Sequence, residues 1–405
     1  MKYTPKDVMD YVREEDIKFV RLAFCDVFGR QRNIAVMASE LPRAFEYGIA
    51  IDGSAIDGFG MSVRSDLLLH PDPGTLSQLP WRPQRGGVAH MFCNITYPDG
   101  SVFDGDTRAL LKKTVEESAA RGISFQLGTE IEFYLFKQDE NGESTLEPID
   151  TAGYMDIAAE DKGENVRREI CLTLEQMGIH PEASHHESGP GQNEIDFRYA
   201  PALTAADNAV TFKAVVKTIA QQYGLTADFS PRPLINRDGS GMHINLSGSC
   251  PDIEDTIPPM VAGILSRVRD MTLFLNPVEN SYARLGCDKA PGFATWSHEN
   301  RNQLIRIPAA WGEYRRLELR SADPAANPYL AFHLILQAAM EGLTEHMVPP
   351  EPCDEEAPVG APALPRTMVE AADTALQSDF IRKHVPDRIL LQAYAHPDRA
   401  RFYEG

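Results

Sequence analysis

Gly128-Thr129-Glu130-Ile131-Glu132-Phe133-Tyr134 is the stretch on which the fold turns. Successive side chains of a strand point to opposite faces, so Glu130 and Glu132 share one surface while Ile131 and Phe133 face the other. The apolar face requires a core, and two carboxylates share the other. The same alternation returns three times. Glu194, Asp196 and Arg198 oppose Ile195, Phe197 and Tyr199; His243, Asn245 and Ser247 oppose Met242, Ile244 and Leu246; Arg316, Glu318 and Arg320 oppose Leu317 and Leu319. One such strand reads most simply as part of a half-solvated antiparallel sheet. Four of them, carrying carboxylates, a histidine and arginines, read as the wall of a site.

Outward from these strands, strand patterns (125–136, 194–199, 242–247, 303–307, 316–320) alternate with helix patterns (164–177, 204–223, 259–274, 327–343), which predicts a sheet with helices packed outside. Toward the N-terminus, Thr4-Pro5 marks a helix start. Ile17 to Phe24, Arg30 to Val36 and Val88 to Thr96 read as strands, the first two joined by an Asp26/Gly29 turn. A turn at Pro98-Asp99-Gly100 and a cap at Asp104/Asp106/Thr107 lead into a helix over 108–121 that Gly122 closes. The class is α+β, with a small domain over 1–103 and a larger one over 104–405. Val348 to Pro365, rich in Pro, Asp and Glu, reads as an exposed loop.

A chain of 405 residues with 43% hydrophobic content can bury a large core, and one of this length is expected to hold two domains. Its formal charge of -20 opposes binding to nucleic acid or to an anionic membrane surface. The six cysteines are scattered without a C-x-x-C pair, so neither a zinc site nor a disulfide framework is indicated. No apolar run is long enough for a signal peptide or a membrane span, and the expected location is the cytoplasm.

Near-neighbour glutamates in a partly closed space repel unless protonated or neutralised, and a divalent cation with oxygen ligands does this well. Arg284, Arg301, Arg306, Arg316 and Arg320 cluster in one third of the chain. Arginine grips carboxylates and phosphates bidentately, and metal ions beside arginines form the electrostatic clamp of phosphoryl transfer. Gly239-Ser240-Gly241 and Gly189-Pro190-Gly191 allow backbone to approach a ligand closely. Neither is a P-loop or a dinucleotide fingerprint, so ATP would enter by another route.

Taken in order, several motifs resemble those of the type I glutamine synthetases. They are Asp52-Gly53-Ser54-Ala55-Ile56, Glu130-x-Glu132, His185-His186-Glu187 with Gly191-Gln192-Asn193-Glu194, Gly239-Ser240-Gly241-Met242-His243, Asn280-Ser281-Tyr282-x-Arg284, Asn300-Arg301, Ile305-Arg306-Ile307-Pro308, and Arg316-x-Glu318-x-Arg320. The resemblance implies a β-grasp N-terminal domain, a larger catalytic domain, and a dodecamer of two hexameric rings with active sites between subunits. It implies Mg2+ or Mn2+, two or more per site, one on Glu132, Glu187 and Glu194 and another on Glu130, His243 and Glu318. Arg284, Arg301, Arg320 and Gly239 would hold glutamate, with Arg301 also catalytic. Glu182, Tyr199, Asn245, Ser247, Arg306 and Arg316 would line the nucleotide pocket. Asp52, from a neighbouring subunit, would help bind and deprotonate ammonium.

The implied reaction joins ammonia to the γ-carboxyl of glutamate through a γ-glutamyl phosphate, with ATP as substrate. The chain departs from the family in the flap, which reads Gly286-Cys287-Asp288-Lys289-Ala290-Pro291 and places Lys289 where a glutamate is usual. Asp238 replaces an asparagine before Gly239, and Glu313 stands near a position where lysine is common. These changes leave the metal ligands intact. They keep two alternatives open: a γ-glutamyl ligase for a small organic amine or polyamine, and a catalytically impaired regulatory relative.

Overall fold

The computed structural model describes residues 3–60, 65–82, 85–355 and 358–396, apart from the side chain of Glu313. The chain forms two compact units, one of 1–110, 172–179 and 386–405, the other of 111–171 and 180–385.

In the first unit, Thr4 caps the helix Pro5–Glu14 in a capping box with Asp7, which satisfies backbone donors at both ends of the first turn. The main strands lie in the order Gln31–Met37, Ile17–Cys25, Gly87–Thr96, Asp66–Pro71 and Ile49–Asp52. The pairing of Ile17–Cys25 with Gly87–Thr96 is parallel, and the others along that path are antiparallel. The turn into the second strand is built as the sequence suggests: buried Asp26 accepts from the backbone N–H of Phe28 (3.0 Å) and Arg30 (2.9 Å), and Gly29 takes a φ of 81°.

The second unit is organised by the strand Ser124–Gln138. It pairs with Met242–Ser249 on one side and Gln192–Phe197 on the other. Leu317–Leu319, Ile305–Ile307 and Trp296–His298 continue beyond Met242–Ser249, and Pro181–His186 continues beyond Gln192–Phe197. These pairings are antiparallel except Trp296–His298 with Ile305–Ile307, which is parallel. On the apolar face Phe133 and Phe197 meet Phe212 of the helix Ala202–Gln222, with ring centroids 6.0 and 5.0 Å away. That burial fixes the register, because a one-residue slip would send Glu130 and Glu132 into the core. Among the described residues no helix is long and apolar enough to cross a membrane.

The helices Ile257–Leu275 and Pro328–Thr344 cross at two glycines. A Cβ on Gly263 would lie 2.2 Å from the Ala338 carbonyl oxygen, and one on Gly342 would lie 2.0 Å from that of Pro259. Backbone on both sides leaves no flexible atom to yield. Gly342→Ala is therefore expected to destabilise the protein by about 3 kcal/mol, the upper end for overpacking, read as a lowered urea midpoint.

Candidate active site

The sheet register assembles the polar face. Glu130 lies between Asp196 on one neighbouring strand and His243 on the other, and Glu132 lies opposite Glu194. One row along, Asn245 pairs with Glu318, which pairs in turn with Arg306. Carboxylates, imidazole and guanidinium are thus neighbours because five strands are held in one register by their opposite, apolar faces.

Each side chain in this row has defined partners. Glu130 accepts from Asn245 (2.9 Å) and faces Nδ1 of His243 at 3.3 Å. Glu132 accepts from the Gly241 N–H (2.9 Å) and from Gln192 (3.1 Å). Glu318, fully buried, accepts from Nε of Arg306 (2.5 Å) and from Arg320, and lies 3.6 Å from His243. Glu187 accepts from the Ser188 N–H (2.9 Å), and His185 stands 3.6 Å from Glu187 and 3.9 Å from Glu194. The ligand atoms of Glu130, His243 and Glu318 form one tight group, those of His185, Glu187 and Glu194 a second, and those of Glu130, Glu194 and Asp196 a third.

The electrostatics are those of a buried acid cluster. Burial, followed by the Glu187 charge, pushes Glu132 up to about 8. Burial and the charges of Glu132 and Asp196 push Glu194 well above the usual carboxylate range. Asp196 rises to about 6 through burial and Glu130. Burial favours the neutral form of His243, the form that donates a lone pair to a metal. One carboxylate oxygen of Asp196 is buried without a hydrogen-bond partner. These oxygens and one imidazole suit a hard divalent cation such as Mg2+ or Mn2+.

A cavity of about 550 Å³ opens on this face and is lined by Glu130, Glu132, Glu187, Glu194, Gly239, His243, Arg284, Arg301, Arg306, Arg316 and Arg320, among others. Arg284 is fixed through the carbonyls of Ser321 (2.9 Å) and Arg320 (3.2 Å). Gly239 cannot carry a side chain, since its Cβ would lie 2.7 Å from the Pro231 carbonyl oxygen. A second cavity, of about 210 Å³, is lined by Glu182, Tyr199, Asn245, Ser247 and Arg316 with Tyr314. Arg306 belongs to the larger cavity and not to this one. Asp52 ends its strand in the other compact unit, exposed, with one carboxylate oxygen accepting from the Ser54 N–H and hydroxyl (2.9 and 2.6 Å). It lines neither cavity.

Sequence reasoning missed three features. His185 joins the acid group with Glu187 and Glu194 and is covered by the Tyr154 ring at 5.4 Å. A buried network underlies the Glu187 strand end: His186 contacts Asp150 (3.0 Å), while Arg167 donates to Asp161 and to Asn193 (2.6 Å). In the flap, Asp288 pairs with Arg232 (3.2 Å), while the Lys289 ammonium lies over Tyr154, 5.5 Å from the ring centroid. The doublet His185-His186 beside Glu187 was the available signal for the first two. The side chain of Glu313 lies outside the described residues.

Comparison with known proteins bears on the same face. Residues 16–98 match "Glutamine synthetase, beta-Grasp domain" and residues 104–400 match "Glutamine synthetase, catalytic domain". The chain is 41% identical over 410 residues to a glutamine synthetase of Clostridium saccharobutylicum, covering 96% of this chain and 93% of that protein. It is 42% identical over 413 residues to a glutamine synthetase of Staphylococcus aureus strain Mu50, with the same coverage. Among solved structures it is similar to a "GmaS/ADP complex" (TM-score 0.86, 29% identity, 98% of this chain and 94% of that one). It is also similar to a ligand-free form, "Apo GmaS without ligand" (TM-score 0.86, 28% identity, the same coverage).

Proposed function

The chain belongs to the glutamine synthetase family, and from that premise we propose that it is an ATP-dependent ligase joining ammonia to the γ-carboxyl of glutamate. The observation that carries this reading is the single cavity that the acid cluster of the sheet face shares with the guanidinium groups of Arg284, Arg301, Arg306 and Arg320.

In this reading Glu130, His243 and Glu318 would hold one divalent ion, Mg2+ or Mn2+, and Glu132, Glu187 and Glu194 another. When bound, such ions neutralise phosphate charge during transfer. Arg284, Arg301 and Arg320 grip the carboxylates of glutamate, and Gly239 lets backbone approach the amino acid. Glu182, Tyr199, Asn245, Ser247, Arg306 and Arg316 hold the nucleotide. The γ-carboxylate attacks the terminal phosphorus of ATP and ADP departs. Ammonia then attacks the carbonyl carbon of the acyl phosphate, the C–O bond breaks, and phosphate leaves with the proton that nitrogen gives up. Arg301 steadies the charge that develops. Asp52, contributed by a neighbouring subunit of a homo-oligomer, a dodecamer of two hexameric rings, binds and deprotonates ammonium. The protein acts in the cytoplasm, with domains over 1–103 and 104–405.

Phosphate release from ATP tests the reading. Release is expected to require both glutamate and ammonia, and Glu130→Gln, which removes the charge of a direct ligand, is expected to lower it about 100- to 1000-fold. ATP turnover indifferent to glutamate would sink the proposal. A second reading, ligation of a small organic amine or polyamine in place of ammonia, is favoured by Lys289 standing on the cavity wall where the flap glutamate is usual.

A further inference from the structure

Two cations on the cavity wall stand apart from the rest. Arg306 and Arg320 are committed to Glu318, Arg284 to two carbonyls, and Arg316 to Asn245 and the Tyr314 carbonyl. Among the described residues, neither the Arg301 guanidinium nor the Lys289 ammonium pairs with a carboxylate. The acid next to Lys289 does not serve it: Asp288 is held by Arg232, which is itself anchored by donating to the Ala283 carbonyl (2.8 Å). Lys289 rests instead on the Tyr154 ring, a cation–π contact that steadies the ammonium while leaving all its N–H donors available.

The position of this cation in the site is defined. Tyr154 stacks edge-on against His185, and His185 contacts Glu187 and Glu194. Lys289 is therefore two ring contacts away from the acid cluster, on the wall of the same cavity. A protonated amine drawn to the carboxylates meets like charge there, whereas an anionic group a few bonds from the reacting nitrogen finds an unpaired partner.

We propose that Lys289 is a specificity-determining residue that selects acceptor amines bearing a carboxylate or sulfonate, so that the product is a γ-glutamyl amino acid. The inference rests on the organic-amine form of the ligase reading above and names the class of amine. The acceptor nitrogen forms the C–N bond with the carbonyl carbon of the γ-glutamyl phosphate and the C–O bond breaks. The amine proton leaves with the phosphate as hydrogen phosphate, and the anionic tail stays on Lys289.

The test compares amines of matched size and basicity, β-alanine against propylamine, by kcat/KM for phosphate release with saturating ATP, Mg2+ and glutamate. The wild-type ratio is expected to favour β-alanine by about tenfold or more, the worth of one charge-assisted hydrogen bond. Lys289→Gln is expected to bring the ratio to about one, and Lys289→Glu to invert it. The ratio cancels any general loss of activity, and Asp288→Asn serves as a second flap variant that should retain the preference. Turnover of both amines without a preference, or a preference that survives Lys289→Gln, overturns this inference and leaves the ligase reading standing. Absence of release with ammonia and with every amine overturns both.

Discussion

Replacing Glu318 with alanine is expected to remove turnover and to cost about 3–5 kcal/mol of stability. The carboxylate is fully buried, accepts from Arg306 and Arg320, and faces His243. Its removal leaves two largely buried guanidinium groups without their counter-charge, which is the costly way to break an interior ion pair. It also takes one of three ligand atoms from the group formed with Glu130 and His243. Glu318→Gln separates the two effects. The amide keeps the volume and one acceptor oxygen, so the urea midpoint should fall less than in the alanine variant. Loss of the charge should still lower kcat by about 10²- to 10³-fold, as for other preorganised electrostatic groups. A stable alanine variant with wild-type phosphate release would show that the group does not bear on the chemistry.

What the sequence made legible follows from how locally each feature is encoded. The strand around Glu130 and Glu132 was readable because alternation has a period of two and its apolar half is packed on Phe212. The helix pattern at 327–343 is Pro328–Thr344 in the structure, where Asn327 caps the Tyr329 N–H. The strand Pro181–His186 was not readable: it lies at the end of the sheet, is mostly exposed, and shows no apolar alternation. Asp150 and Asp161 carry no local signal either, since their partners His186, Gly191 and Arg167 are set by loop paths and not by periodicity. The flap shows the same limit. Lys289 was visible as a departure, but its contact with Tyr154 joins positions far apart in the chain, and the pairing of Asp288 with Arg232 depends on that same tertiary placement. Whether Glu132 belongs with Glu187 and Glu194 is likewise a matter of side-chain reach: its hydrogen bonds go to Gly241 and Gln192, while His185 makes the tight group with the other two.

Divalent metal is expected to stabilise the protein more at pH 8 than at pH 6.5, by about 2 kcal/mol from Glu132 alone. The sign follows from the direction of the shift. A carboxyl raised to about 8 from an ordinary value of 4.5 keeps its proton in the folded chain while the unfolded chain has lost it. The stability this contributes is fully present below the unfolded value and is lost as pH rises through 8. Between 6.5 and 8 that is 1.5 pH units at about 1.36 kcal/mol each. Glu194, also raised well above the usual carboxylate range by burial and its acidic neighbours, acts in the same direction. A bound cation replaces the proton and removes the penalty, so its stabilising effect grows as the proton becomes harder to keep. The window is chosen above the range of the histidines that burial depresses most. His90 and His333, depressed to about 4 and about 3 by burial, gain stability as pH rises from those values to 6.5 and would mask the effect lower down. Chemical unfolding at pH 6.5, 7.25 and 8, in chelator and in Mg2+, reads the difference directly. A metal increment that is constant across the three would mean that Glu132 and Glu194 are ionised without a cation, and that the acid cluster is neutralised by its arginines.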